Sequence, residues 1–256
     1  MAILKLLRLA GHLLAGALTI LLLFPHLNRE ECSRRVTRWA TRLLALFNIQ
    51  VVVRGRAPTV RAGGAMLVAN HISWLDIYVL QSLLPVRFIS KAEVQGWPLI
   101  GWLAQEVGTV FLVREKKSDA MRVNQVMANH LRAGDLLALF PEGTTSDGRG
   151  VLPFYSSLFQ PAVEARAQIW PARLRYLDKA GHPSEAAAYY GGMTLAESLW
   201  RVARQRGITV EVTFLPLIPY REGLGRRELA RLCETVIRGA DAGAGSPPGS
   251  TVHLPA

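Results

Sequence analysis

The sequence predicts an α/β domain, a mixed sheet with flanking helices, preceded by N-terminal apolar and amphipathic membrane-binding helices. Three observations predict it. The chain has 256 residues, 50% of them hydrophobic, which suits one substantial core rather than two domains. From Ile49 onward, short apolar or β-branched runs alternate with helical patterns, the signature of layered α/β packing. Before Ile49 neither pattern holds: a long apolar run gives way to an arginine-rich amphipathic stretch. We therefore divide the chain into membrane-anchoring helices over 1–48, an α/β domain over 49–238 and a Gly/Ala/Ser/Pro tail over 239–256 with little to bury, expected to be disordered.

Taken in order, Leu9 to Phe24 is apolar apart from His12 and Thr19, and Lys5 and Arg8 precede it. No small-x-small cleavage site follows, so the run does not read as a signal peptide. At 16 residues (9 to 24) it falls short of an upright span, and basic residues flank it on both sides. A single crossing would leave one basic flank on the far side, so a helical hairpin or an interfacial placement suits the charges better. At 100° per residue, Val36, Trp39, Leu43 and Phe47 fall on one helix face and Arg34, Arg35, Arg38 and Arg42 on the other. Next to an apolar anchor, that pattern predicts lipid contact.

Strands are expected at Gln50–Val53, Ala65–Ala69, Arg87–Ser90, Thr109–Val113, Leu136–Phe140, Ile169–Tyr176 and Ile208–Leu217. Helices are expected near Trp74–Ser82, Ser118–Leu131 and Thr194–Arg204. The formal charge is +11, and the first sixty residues hold nine basic side chains against two acidic ones, a local excess of +7. An anionic partner is implied. The basic residues sit beside apolar helices rather than among exposed aromatics or in a nucleic-acid-binding motif, so anionic lipid is expected and nucleic acid is not. Cys32 and Cys233 have no metal-ligand spacing, and no metal site is expected.

The chemistry is expected at Asn70-His71-Ile72-Ser73-Trp74-Leu75-Asp76, where a strand gives way to a helix. A five-residue spacing turns side chains about 140° apart on a regular helix, so His71 and Asp76 meet only if His71 precedes the helix. With Ser73 as N-cap, Asp76 becomes the third helical residue, where exposed amides favour a carboxylate. That placement leaves two readings open, half of a capping box or a partner for His71.

The same stretch resembles the histidine-x4-aspartate signature of the glycerolipid acyltransferase family, and three further blocks follow in the family's order. Gly108-Thr109-Val110-Phe111-Leu112-Val113-Arg114 is similar to its second block, Phe140-Pro141-Glu142-Gly143-Thr144 matches its third, and Ile169-Trp170-Pro171-Ala172 resembles its looser fourth. The resemblance spans about residues 50 to 180. It implies an acyltransferase in which His71 is the general base on an acceptor hydroxyl and Asp76 orients its ring. It also implies substrate contacts from Arg114, Glu142, Gly143, Thr144 and Lys91. Glu142, unable to bind phosphate, would order acceptor hydroxyls or the loop.

No GxSxG motif is present, so transfer is expected to be direct rather than through an acyl-enzyme. Oxyanion donors are expected among the amides at the start of the helix after His71 or around Gly143. The implied reaction moves a fatty acyl chain from acyl-CoA or acyl-acyl-carrier protein, a co-substrate rather than a cofactor, to the sn-2 hydroxyl of 1-acyl-sn-glycerol-3-phosphate. The setting would be the cytoplasmic side of the inner membrane. Many members carry an aspartate before the second-block arginine and an arginine soon after the third block, where this chain has Val113 and Thr145. The run Thr144 to Gly148, with Val151 to Phe154, also looks like members that acylate lyso-ornithine lipid. A non-catalytic basic module binding membrane or nucleic acid is the reading from another class.

Overall fold

The computed structural model describes residues 1–58, 64–97, 99–112 and 117–240. In chain order the elements are α1 (Ala2–Leu23), a 3-10 turn (Phe24–His26), α2 (Arg29–Leu46), β1 (Ile49–Arg54), β2 (Ala65–Ala69), α3 (Leu75–Leu83), β3 (Arg87–Lys91), α4 (Ala92–Gln95) and α5 (Ile100–Glu106). There follow β4 (Val110–Leu112), α6 (Lys117–Arg132), β5 (Leu136–Leu139), a 3-10 turn (Ser156–Phe159), α7 (Gln160–Glu164), β6 (Gln168–Leu177), α8 (Leu195–Arg204), β7 (Ile208–Phe214) and α9 (Arg226–Gly239). Every strand expected from the sequence forms. The tail from residue 241 lies outside the described residues.

The strands make one mixed sheet in the order β1-β7-β6-β2-β5-β3-β4. All neighbours are parallel except β6 and β7. Every residue of β2 and β5 is buried, as central parallel strands covered on both faces require. Alternation divides them between two cores. Leu67, Ala69 and Ala138 face α2, α3 and α8, while Met66, Val68, Leu137 and Leu139 face α6, α7 and α9. Strand β7 alternates buried and half-buried residues, which fits a strand covered on one side. Helix α9, not anticipated from the sequence, closes the second core with Leu229, Ala230, Cys233 and Ile237.

The N-terminal pair differs from expectation in three respects. Helix α1 runs 22 residues, longer than the apolar run, because Lys5 does not end it. The Lys5 ammonium turns inward and donates to Phe47 O (3.2 Å) and Gln205 O (2.8 Å), the C-caps of α2 and α8. A cation between two helix C-termini complements both dipoles and ties α1 to the body. The apolar stripe of α2, expected against lipid, instead buries Ala40, Leu43, Leu44 and Phe47 in the protein core. Arg35, expected on the polar face with Arg34, Arg38 and Arg42, lines a cavity. It lies four residues before Trp39, only about 40° away on the helix, at the edge of the polar arc.

Helices α1 and α2 form a hairpin. The rings of His12 and Trp39 stack with centroids 4.6 Å apart, and each residue also bonds the other's backbone, His12 Nε2 to Trp39 O at 3.0 Å and Trp39 Nε1 to His12 O at 3.1 Å. Gly16 permits this crossing, since a Cβ there would meet Trp39 Nε1 at 2.6 Å. The outer face of α1 keeps Leu4, Leu7, Leu14, Leu18, Leu21 and Leu22 exposed, at helical spacing. By length and composition Ala2–His26 could cross a membrane. Its inner face, with Lys5, Leu9, Gly16 and Ile20, is buried.

Candidate active site

The site begins where β2 stops. Its last residue, Ala69, aligns with Ala172 of β6. The Asn70 side chain then continues the ladder in place of backbone: Oδ1 accepts from Leu174 N (2.7 Å) and Nδ2 donates to Leu174 O (3.1 Å). This fixes the chain direction just before His71, which leaves the sheet at the carboxyl ends of the strands.

His71 Nδ1 lies 2.8 Å from Asp76 Oδ2. The same oxygen accepts from Ile72 N (2.7 Å) and Ser73 N (3.0 Å). The two readings open in the sequence are therefore both realised: Asp76 closes the turn and holds the histidine. The helix starts later than expected, at Leu75, with Ser73 Oγ accepting from Leu75 N (3.3 Å) and Asp76 as its second residue rather than its third. The Asp76 carboxylate folding back over two amides makes this turn tighter than a Ser73 N-cap would. Asp76 is fully buried, and its other oxygen accepts from Tyr176 Oη (2.7 Å). Burial first, then the Asp76 charge and this bond, holds the Tyr176 hydroxyl well above its ordinary pKa, so it remains a donor.

With Asp76 accepting at Nδ1, that nitrogen carries the proton and Nε2 presents a lone pair. The imidazole stacks on Phe140, centroids 4.0 Å apart and planes within 5°. The loop after Phe140 clamps the His71 backbone at both ends. Glu142 Oε1 accepts from His71 N (2.7 Å), and Ser146 N donates to His71 O (2.9 Å). The second Glu142 oxygen accepts from Leu152 N (2.8 Å). Both oxygens thus serve backbone amides, which favours the loop-ordering role over contact with acceptor hydroxyls. Burial pushes the Glu142 carboxyl up, opposed by its two amide bonds and by the His71 and Arg173 charges. Gly143 turns this loop at φ +68°, a left-handed conformation, against the Tyr155 ring.

His71, Phe140, Gly143, Thr144 and Thr145 border a cavity of about 550 Å³. Its far walls are largely apolar, including Leu9, Leu13 and Ile20 of α1 and Ile77 of α3. The structure thus gathers His71, Asp76, Glu142, Gly143 and Thr144 into one place. Arg114 and the side chain of Lys91 lie outside the described residues. Among the expected oxyanion donors, the amides of Ile72 and Ser73 are held by Asp76 and Gly143 N donates to Phe140 O (3.1 Å), while Thr144, next to Gly143, borders the cavity. Among the described residues no cluster of three or more His, Cys, Asp or Glu could hold a metal.

A second histidine-x4-aspartate pair provides a control within the same molecule. His130 Nδ1 lies 2.8 Å from Asp135 Oδ2, at the same spacing and distance as the first pair. Asp135 precedes β5 at the level where β2 begins, roughly 20 Å from His71 along strands that rise about 3.3 Å per residue. Arg29 and Arg87 also contact Asp135. Burial first, then these two guanidinium charges, lowers the His130 pKa. This pair is an ion cluster that does not border the cavity. Spacing alone does not distinguish it from His71 and Asp76; position in the sheet does.

The chain is similar to known proteins in sequence and in fold. Residues 50–175 match the family model described as Acyltransferase. A lyso-ornithine lipid O-acyltransferase of Pseudomonas aeruginosa is 38% identical over 224 residues, 87% of this chain and 84% of that protein. A 1-acyl-sn-glycerol-3-phosphate acyltransferase of Neisseria meningitidis serogroup B is 34% identical over 209 residues, 82% of this chain and 81% of that protein. The crystal structure of PlsC, the 1-acyl-sn-glycerophosphate acyltransferase of Thermotoga maritima, has the same fold, with a TM-score of 0.66 at 21% identity over 96% of this chain and 99% of that one.

Proposed function

The chain belongs to the acyltransferase family, and from that premise we propose that it transfers a fatty acyl chain from an acyl thioester to the sn-2 hydroxyl of 1-acyl-sn-glycerol-3-phosphate, with His71 as general base. The observation that carries this reading is the His71 Nδ1–Asp76 Oδ2 bond of 2.8 Å, on an imidazole that borders an apolar cavity. In this mechanism Nε2 takes the acceptor hydroxyl proton as its oxygen attacks the thioester carbonyl. Asp76 keeps the tautomer and stabilises the imidazolium that forms. When the tetrahedral intermediate collapses, the carbon–sulfur bond breaks and the thiolate takes that proton. The developing oxyanion would be met by Thr144 and Thr145, which border the cavity beside His71. The acyl chain would fill the apolar cavity.

Arg114 would grip the acceptor phosphate through paired hydrogen bonds, with Lys91 adding charge, as the family resemblance implies. Acyl-CoA or acyl-carrier protein would donate. The exposed leucines of α1 would enter the cytoplasmic leaflet of the inner membrane, with anionic lipid meeting Arg34, Arg38 and Arg42. Lyso-ornithine lipid is a second acceptor, favoured by one observation: Thr145, where many members have an arginine, borders the cavity, so a cation for phosphate is missing there. The Pseudomonas relative named for that acceptor agrees with this.

Membranes containing the protein, supplied with labelled acyl donor and each lyso-lipid, test both readings and also the non-catalytic alternative, which predicts binding without turnover. Labelled phosphatidate is expected. Labelled ornithine lipid instead would move the assignment to the second acceptor, and no acylated product with any donor would end the enzyme reading.

A further inference from the structure

We propose that Tyr176 is the third member of the proton-handling chain, a positioning residue that acts on His71 through Asp76. The inference rests on the reading of His71 as the base.

Asp76 has two oxygens with different duties. Oδ2 is shared by three donors, His71 Nδ1 and the amides of Ile72 and Ser73, while Oδ1 has the Tyr176 hydroxyl at 2.7 Å. The two backbone donors come from the turn itself and hold the carboxylate near its own chain segment. Tyr176 reaches it from β6, a hundred residues away, and so fixes the carboxylate relative to the sheet. The same strand holds Asn70 through Leu174, two residues earlier on the same face. One strand thus sets both His71's backbone and the plane of the carboxylate that orients its ring.

The bond also has an electronic consequence. A donor on Oδ1 draws charge from Oδ2 and so moderates how strongly Asp76 stabilises the imidazolium. Burial keeps Tyr176 protonated, so the donor persists throughout the working pH range. A neutral phenol in a wholly buried position therefore adjusts the basicity of a group it does not touch.

The test compares Tyr176→Phe, 3-fluorotyrosine at position 176, His71→Ala and the wild type in one membrane assay. For Tyr176→Phe, kcat should fall about tenfold, the effect of one lost hydrogen bond to a charged group. KM for both substrates should hold, and the acid limb of kcat/KM should move to higher pH. Fluorotyrosine, a stronger donor of nearly the same shape, should move that limb to lower pH, and it keeps the test decisive if the phenylalanine variant folds poorly. Limbs unmoved in the fluorotyrosine protein, or moved in the same direction in both, would overturn the proposal. A fall in thermal midpoint with no shift of the limb would leave Tyr176 a packing residue only and would also overturn it. His71→Ala separates the two failures. If it is active, the base reading itself is wrong; if it is inactive while Tyr176→Phe behaves as wild type, only the present proposal falls.

Discussion

Glu142→Gln isolates the clamp on His71. The wild-type carboxylate accepts two backbone amides, from His71 at 2.7 Å and from Leu152 at 2.8 Å, in a position only 2% exposed. Glutamine keeps one acceptor and turns a donor toward the other amide. One charge-assisted bond, worth roughly 1.5–3 kcal/mol, is lost, and the other becomes a neutral bond of about 1 kcal/mol. A neutral group costs less to bury, and the raised Glu142 pKa is the sign of that cost, so global stability should fall by only about 1–2 kcal/mol. For a domain of this size that is a drop of roughly 2–8 °C in thermal midpoint. Turnover should suffer more. A released His71 backbone can misplace Nε2 by about 1 Å, and such a misplacement costs on the order of 100-fold in kcat.

The assay is steady-state transfer in detergent or vesicles, with kcat and KM determined separately for each substrate. Unchanged kcat with a raised KM for the acceptor would refute this reasoning and make Glu142 a direct acceptor contact. The pH dependence gives an independent check. Because folding raises this carboxyl's pKa, its stabilising contribution is complete below the unfolded value and is lost as pH rises through the folded one. The stability of the wild type relative to Glu142→Gln should therefore improve toward acid pH in chemical unfolding, and a difference independent of pH would contradict the raised value.

Lys5→Met removes both bonds to the caps of α2 and α8, worth roughly 2 kcal/mol together, and should expose the α1–α2 turn to native-state proteolysis; unaltered cleavage would show that the tie contributes little. Gly143→Ala places a Cβ 2.9 Å from the Tyr155 ring at a positive φ, so about 1–2 kcal/mol of stability and part of kcat should be lost by thermal unfolding and transfer assays. Asp135→Asn leaves Arg29, Arg87 and His130 without their shared carboxylate, and should cost about 1–3 kcal/mol in unfolding while activity per folded molecule holds. Arg114→Ala should raise KM for 1-acyl-sn-glycerol-3-phosphate well above any change for the donor or for lyso-ornithine lipid; equal changes would remove Arg114 from the acceptor site.

By itself the sequence determined what depends on neighbours along the chain. Every strand was legible, because short apolar or β-branched runs bounded by turn residues report a local preference. The placement of His71 before the helix and Asp76 in its first turn was legible too, since a five-residue separation allows little else. The four ordered blocks carried the family. Local pattern could not decide which partner a face meets. The apolar stripe of α2 reads the same whether lipid or α3 lies against it, and only packing turned it inward and brought Arg35 to the cavity.

The long-range bonds were invisible for the same reason. No spacing rule links Glu142 to His71 across 71 residues, or Tyr176 to Asp76 across 100, because sheet order and not the chain brings them together. The two histidine-x4-aspartate pairs make the division plain. Their spacing is equal, and the sequence tells them apart only through the blocks that accompany His71; in the sheet one follows a strand into a cavity and the other precedes a strand among arginines. Tertiary structure supplies the physical reason that one is a catalytic candidate and the other an ion cluster, since chemistry depends on what surrounds a pair and not on the interval between its members.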